Sequence, residues 1–136
     1  MKEIIVDAVI KNVDTVTEFV NELLEQNACP MKVQMQINIA IDELFSNISQ
    51  YAYPEGIGKA TVRVEMQDEP KAVCITFIDC GIPYNPLEKE DPDITLSVEE
   101  RKIGGLGIYM VKQQMDEITY NYRSGCNQLL IKKYFD

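Results

Sequence analysis

The segment ATVRVEMQDEPKAVCITFI covers residues 60–78 and carries the clearest strand signals in the chain. Residues 60–66 alternate apolar and polar side chains, a pattern typical of a strand with one covered face. Residues 72–78 are almost continuously apolar, which predicts a central strand. Residues 68–71, Asp-Glu-Pro-Lys, fit a hairpin turn between them. The segment therefore predicts an antiparallel pair at the centre of a sheet.

A strand and two helices are predicted before this pair. Residues 2–10 are rich in β-branched side chains and predict a strand. Asn12 or Asp14 can cap a first helix that ends near Asn27, and a second helix runs from about Met31 to Tyr51. The apolar residues that recur at helical spacing are Val16, Phe19, Val20, Leu23 and Leu24 in the first helix, and Val33, Ile37, Ala40, Ile41, Leu44 and Ile48 in the second.

After the central pair, the polar residues 79–102 predict a long loop, which in a compact domain is usually functional. A third helix is predicted from Gly104 to about Met115. Strands at 117–123 and 128–135 follow, joined by a turn at 124–127. The order β-α-α-β-β-loop-α-β-β predicts an α+β fold, a two-layer sandwich. Its mixed, largely antiparallel sheet is covered on one face by about three helices, within one domain spanning residues 1–136.

Composition narrows the function classes. The 136 residues include 13 Lys+Arg against 22 Asp+Glu, a formal net charge of −9. Like charges repel, so binding to nucleic acid or to an anionic membrane is not expected. No apolar run approaches the roughly 20 residues of a membrane span, and the acids near the N-terminus do not fit a secretion signal. We expect a soluble cytoplasmic protein.

The chain has no histidine, and its four cysteines form no C-x-x-C pair, which argues against a zinc site. Without histidine, proton transfer would fall to a carboxylate, Lys, Tyr or Cys. We predict that the cysteines are reduced and mostly structural: Cys29, Cys74, Cys80 and Cys126.

The predicted second helix carries the first motif that could support chemistry. Glu43 and Asn47 are four residues apart and project from one side of the helix, about a quarter-turn from its apolar stripe. A carboxylate and an amide oxygen suit Mg²⁺, bound directly or through water. Alternatively, the amide holds the metal and the carboxylate acts as a base. An isolated pair of this kind is also typical of a solvated polar face.

The second motif is the segment DCGIPYNP, residues 79–86, directly after the most apolar strand. Asp79 can accept a hydrogen bond from an exocyclic amine such as that of adenine. Gly81 has no Cβ to block a planar base. A turn without any ligand is the alternative interpretation.

The third motif is GGLGI, residues 104–108, at the start of the third helix. Clustered glycines there let backbone N–H groups point at an anion, which the helix dipole also favours. The spacing matches neither a P-loop nor a dinucleotide-binding fingerprint. The alternative is a plain structural helix start, but three glycines in four residues cost conformational entropy, which favours phosphate binding.

Taken in order, these motifs resemble those of the Bergerat-fold ATP-binding domain of gyrase B, Hsp90, histidine kinases and MutL. The closest resemblance is to the bacterial anti-sigma-factor serine/threonine kinases. Glu43-x-x-x-Asn47 resembles their N box, residues 79–86 their first glycine box and residues 104–108 their second. Ala52-Tyr53 and Met115-Asp116 also fall where such kinases carry similar pairs.

The resemblance implies a role for each motif residue. Asn47 would coordinate Mg²⁺ on the ATP phosphates, Asp79 would bind adenine, and Gly81 would admit the ring. Glu43 would be the general base. A lid would span roughly residues 87–103, and Lys102 or Arg101 (our own assignment) would offset phosphate charge. The glycine-rich nucleotide-binding residues would be Gly104, Gly105, Leu106, Gly107 and Ile108.

Two features depart from the family pattern. Tyr51 stands where many relatives have His, which puts any role for that side chain in doubt. The lid is acidic and would repel a nucleotide unless its acids face solvent or a partner: Glu88, Glu90, Asp91, Asp93, Glu99 and Glu100.

The resemblance implies an ATP- and Mg²⁺-binding regulatory kinase that phosphorylates a Ser or Thr of an antagonist protein similar to an anti-anti-sigma factor. Sequestration of a sigma factor and a homodimer are further expectations. A fused histidine kinase is disfavoured, because the chain lacks His and room for dimerisation helices. The alternatives are a nucleotide-sensing binding module without catalysis and a simple ATPase of the same fold.

Overall fold

The computed structural model describes residues 1–88 and 106–136. They form five strands, three α-helices and two short 3₁₀ turns, the latter at Ile10–Asn12 and Pro86–Glu88. The helices are α1 (Val13–Gln26), α2 (Met31–Tyr51) and α3 (Leu106–Gln114). The strands are β1 (Lys2–Asp7), β2 (Lys59–Asp68), β3 (Lys71–Asp79), β4 (Glu117–Arg123) and β5 (Cys126–Tyr134).

The strands form one sheet in the order β1-β2-β3-β5-β4. All four pairings are antiparallel, and the β2–β3 hairpin closes at the pair Asp68↔Lys71. The apolar strand β3 is central, as its sequence predicts. The α+β sandwich is therefore confirmed, with a sheet that is antiparallel throughout the described residues.

One face of the sheet is covered by the helices, and the core lies between the two layers. The predicted stripes are confirmed, because Val16, Val20 and Leu24 of α1 are fully buried. The α2 stripe packs beside them and adds Phe45 to the predicted set. The sheet contributes alternate side chains to this core, among them Val62, Val64, Val73, Ile75, Phe77, Leu129 and Ile131.

Several predicted boundaries are wrong, among them one end of the first strand and one end of the last. The first strand ends at Asp7 rather than at residue 10, because Asp7 pairs with Lys59, where β2 begins. The last strand starts at Cys126, so the predicted turn at 124–127 is two residues shorter. Most of the predicted loop at 79–102 lies outside the described residues. In residues 1–88 and 106–136, no helix combines the length and apolar character required to cross a membrane.

Candidate functional site

The site is built where β3 ends beside the start of β5. Along β3, Val73, Ile75, Phe77 and Asp79 are all buried, so Asp79 is the polar end of the inward row. Asn127 is paired directly with Asp79 in the β3–β5 register. Because paired residues project to the same face, the strands bring these two polar side chains together under the helix layer.

Hydrogen bonds hold Asp79 in place. Its Oδ1 accepts a bond of 2.8 Å from Asn127 Nδ2 and one of 3.0 Å from the Gly81 backbone N–H. Burial raises the pKa of the Asp79 carboxyl, while the bonds from Asn127 and Gly81 act in the opposite direction. A carboxylate that is nine-tenths buried, at 6% exposure, costs free energy and is typical of a functional position.

The segment after Asp79 is hydrogen-bonded to the residues that follow α2. The Ile82 backbone N–H donates to the Ala52 carbonyl oxygen at 2.9 Å. The Tyr53 hydroxyl donates to the Lys59 carbonyl oxygen at 2.6 Å and accepts from the Cys80 backbone N–H at 2.9 Å. The Ala52-Tyr53 pair singled out in the sequence therefore fixes the direction in which the chain leaves β3.

Gly81 lies against the backbone of Ala52. A Cβ built on Gly81 would lie 2.0 Å from the Ala52 carbonyl oxygen. The backbone at Gly81 therefore lies so close to the backbone at Ala52 that a larger residue would not fit without a shift. The predicted role of Gly81 in admitting a planar ring stays a prediction.

Helix α2 brings the predicted metal ligand to the same place. Asn47 follows Glu43 by one turn, and Tyr51 follows Asn47 by another, so the three lie along one side of the helix. Asn47 and Asp79 line the same cavity. Its full lining is Leu44, Asn47, Ile48, Tyr51, Ala52, Phe77, Asp79, Ile82, Tyr84, Pro86, Tyr120, Asn127 and Leu129. A mostly apolar cavity with a few polar groups is typical of a small-molecule site.

The amide of Asn47 is suited to a ligand. Its Nδ2 is buried and has no hydrogen-bond partner among the residues described. Within the same residues, no group of three or more His, Cys, Asp or Glu could form a metal centre. Mg²⁺ usually takes one or two protein oxygens, with water and substrate phosphates as its other ligands. The unpartnered Nδ2 is a donor and cannot ligate a cation, so a magnesium ligand from Asn47 would be its amide oxygen, and that role stays a prediction.

Glu43 lies at the junction of α2 and α3. A Cβ built on Gly107 would lie 2.3 Å from the carboxyl carbon of Glu43. The absence of a side chain at Gly107 therefore lets the first turn of α3 lie directly against this carboxylate. The predicted base and the described end of the glycine-rich motif are thus in contact.

The rest of the glycine-rich motif is only partly visible. The Ile108 side chain is 2% exposed and belongs to the core, so only its backbone could reach a ligand. Leu106 begins α3. Gly104, Gly105, Arg101, Lys102 and the lid from residue 89 lie outside the described residues, so their roles stay predictions.

Sequence reasoning missed three polar or aromatic contributors. The sequence predicts a turn at Asn127 and gives no role to Tyr120 or Tyr51, although all three line the cavity. The Tyr51 and Tyr84 rings have centroids 5.5 Å apart. A signal for Asn127 was available, since it shares the alternation of the inward residues Leu129 and Ile131.

The prediction of four reduced thiols is wrong for one pair. Cys80 and Cys126 form a disulfide, with Cα atoms 4.0 Å apart. They follow Asp79 and precede Asn127, so the register that pairs those two residues also brings the cysteines together. Cys29 and Cys74 are free and half-buried.

Comparison with known proteins agrees with this architecture. The family model described as "Histidine kinase-like ATPase domain" matches residues 6–133, and the chain belongs to this family.

Individual relatives share a modest fraction of identical residues with this chain. The chain is 22% identical over 103 residues to "Serine/threonine-protein kinase BtrW" of Bordetella bronchiseptica, covering 76% of this chain and 72% of that protein. It is 29% identical over 98 residues to "Serine-protein kinase RsbW" of Bacillus cereus, covering 71% of this chain and 61% of that protein. The protein of the same name from Bacillus mycoides is 31% identical over 100 residues, with the same coverage. The chain thus spans less than two thirds of these Bacillus relatives.

Proposed function

We propose that this chain is an ATP- and Mg²⁺-binding serine/threonine protein kinase of the anti-sigma type. The observation that carries the proposal is that Asn47 and Asp79, 32 residues apart in sequence, line one cavity. The contact between Glu43 and Gly107 extends that site towards the start of α3. The printed names of the relatives, which are serine or serine/threonine kinases, support the same activity.

The two ends of the site suit the two ends of a nucleotide. The apolar walls and the Asp79 carboxylate suit a purine that bears an exocyclic amine. Asn47 is one helical turn from Glu43, which contacts the first turn of α3, and a helix N-terminus favours phosphate. A Mg²⁺ ion held by the Asn47 amide oxygen would supply charge neutralisation on the phosphates.

Glu43 is the proposed general base. As the γ-phosphorus is attacked by a Ser or Thr hydroxyl oxygen, Glu43 accepts the hydroxyl proton. A new O–P bond forms, the bond between the γ-phosphorus and the bridging oxygen breaks, and ADP leaves. Glu43 is half-buried at the α2–α3 junction, so its carboxylate is partly withdrawn from water.

The resemblance of the motifs to those of anti-sigma kinases supports two partners for this chain, an antagonist protein and a sigma factor. The proposed substrate is a Ser or Thr on a small antagonist protein, and the unphosphorylated antagonist would compete with a sigma factor for this chain. A homodimer is part of the same proposal.

Nucleotide binding is tested first, by calorimetry with ADP in the presence and absence of Mg²⁺. We expect measurable ADP binding that strengthens with Mg²⁺ and is lost in Asp79→Asn. Phosphotransfer is then tested with γ-labelled ATP and a candidate antagonist. Glu43→Gln should keep ADP binding and lower transfer at least about 100-fold.

The matched control is Asp42→Asn, which removes an exposed acid from the neighbouring position of α2. Normal transfer in Glu43→Gln contradicts the role of Glu43 as base. ADP binding without any transfer or hydrolysis favours the nucleotide-sensing module, and release of free phosphate without labelled protein favours a simple ATPase.

A further inference from the structure

Asn127 is a buried polar side chain, 5% exposed, whose hydrogen bonds all go to protein groups. Its Nδ2 donates to Asp79 Oδ1 and to the Ile82 carbonyl oxygen, both at 2.8 Å. Its Oδ1 accepts from the Tyr84 backbone N–H at 3.0 Å and from the Tyr120 hydroxyl. An asparagine amide offers two donors and two acceptor sites, so this network uses all of them. Asn127 therefore has no hydrogen-bonding capacity left for a ligand, and any effect that it has on one passes through another residue.

That residue is Asp79. Both hydrogen bonds that the described residues make to its carboxylate, from Asn127 and from Gly81, end on Oδ1. Oδ2 receives none from the same residues and keeps its acceptor capacity. The carboxylate is thus held by one oxygen, which restricts its rotation and leaves the other oxygen for a donor in the cavity.

The network also joins three parts of the cavity wall. Through Asn127, the strand end at Asp79 is tied to the segment of Ile82 and Tyr84 and to Tyr120 on β4. All five residues line the cavity. A side chain that spans these parts can fix the position of Asp79 relative to the surfaces that would contact the same ligand.

We infer that Asn127 is a positioning residue that sets the base selectivity of the site by fixing which oxygen of Asp79 meets the purine. The inference rests on the proposed nucleotide function and deepens it. A carboxylate oxygen accepts a hydrogen bond from the 6-amino group of adenine. It faces the 6-oxo group of hypoxanthine as one acceptor against another, so a fixed Asp79 favours ADP over inosine diphosphate.

The test compares the affinities of ADP and inosine diphosphate by calorimetry in the full chain. The wild-type protein should bind ADP at least about 10-fold more tightly, since one charge-assisted hydrogen bond distinguishes the two. Asn127→Ala should bring this ratio close to one. A merely structural role would weaken both nucleotides equally and leave the ratio unchanged.

Asn121→Ala is the matched control, because Asn121 is an exposed asparagine on the neighbouring strand β4. Its ratio should stay at the wild-type value. Tyr120→Phe serves as a second variant, because it removes one anchor of Asn127 but keeps both hydrogen bonds to Asp79. Tyr120→Phe should lower the ratio of the two affinities by a smaller factor. If Asn127→Ala does not fold, the ratio measured in Tyr120→Phe decides the test.

The outcomes are distinct. A folded Asn127→Ala protein with the wild-type ratio overturns the inference, as does an unchanged ratio in Tyr120→Phe when the alanine variant is unfolded. A wild-type protein that binds both nucleotides equally overturns the inference while nucleotide binding stands. A wild-type protein that binds neither contradicts the proposed function itself.

Discussion

The carboxylate of Glu43 and the α-carbon of Gly107 are in direct contact, at the point where α3 begins beside α2. A Cβ on Gly107 would lie 2.3 Å from both the carboxyl carbon and one carboxyl oxygen. No real side chain tolerates that distance, so any residue other than glycine displaces the Glu43 carboxylate. The position of the proposed base therefore depends on a residue 64 positions later in the chain.

Gly107→Ala should lower phosphotransfer about 100-fold or more, because its Cβ displaces the proposed base. The displaced atoms are the far end of a flexible side chain, so the protein can adjust by rotating Glu43. Helix propensity also favours alanine within α3 by about 1 kcal/mol, so unfolding stability should not fall. Transfer assays and thermal melts measure the two effects. Full transfer activity in Gly107→Ala would contradict the proposed position of the base.

Gly81→Ala should show the opposite pattern, with a loss of about 1–3 kcal/mol in the free energy of unfolding. The atom 2.0 Å from its Cβ is the Ala52 carbonyl oxygen, a backbone atom that cannot rotate away. Urea denaturation measures the loss. Gly56→Ala is the control, because nothing lies within 4 Å of a Cβ there and its stability should equal or slightly exceed that of wild type. Equal stability of the two variants would contradict the close approach at Gly81.

The elements could be predicted from the sequence because each carries its own period. The stripe from Val33 to Leu44 predicts α2 without reference to any other element, and the alternation in residues 60–66 predicts β2 in the same way. The end of β1 could not be predicted, because it depends on where its partner β2 begins. Local patterns describe single elements, whereas strand ends depend on pairing.

The residues of the candidate site also fall into two groups, those that a local pattern predicts and those that depend on strand pairing. Asp79 could be found because an acid after a buried strand stands out locally. Asn127 could not be assigned a role, since the sequence does not contain the β3–β5 register that places it opposite Asp79. The disulfide was missed for the same reason, because the Cys80–Cys126 pair depends on that register and not on a spacing motif.

Asp79→Asn should raise the free energy of unfolding relative to wild type as the pH rises, while it abolishes ADP binding. Burial raises the pKa of the Asp79 carboxyl above its ordinary value of 3.8, so the folded state binds a proton more strongly than the unfolded chain. The stability that Asp79 contributes is therefore fully present below that ordinary value and is lost as the pH rises through the raised pKa. The amide that replaces the carboxyl group carries no charge to desolvate, so the variant should gain stability relative to wild type across this rise.

Urea denaturation of both proteins between about pH 4 and pH 8 measures this difference. ADP binding should be lost in the variant throughout the range, because an amide nitrogen replaces the acceptor oxygen. A variant that binds ADP normally, or that loses stability relative to wild type as the pH rises, would contradict this account of Asp79.

Reduction of the Cys80–Cys126 disulfide should lower both stability and ADP affinity. The bond closes a loop with a sequence separation of 46, for which the chain-entropy estimate is about 4 kcal/mol. It also flanks the Asp79–Asn127 pair, so its loss releases the strand ends that hold that pair together. Cys80→Ser should melt at a lower temperature than wild type and show no further change with a reductant.

Cys74→Ser is the control for the disulfide, because it removes a free half-buried thiol and should respond to the reductant as wild type does. Alkylation followed by mass spectrometry should label two thiols before reduction and all four afterwards. Four labelled thiols in the unreduced, denatured protein would show that the bond does not form. A wild-type melting temperature that is unchanged by reductant would show that the bond does not stabilise the fold.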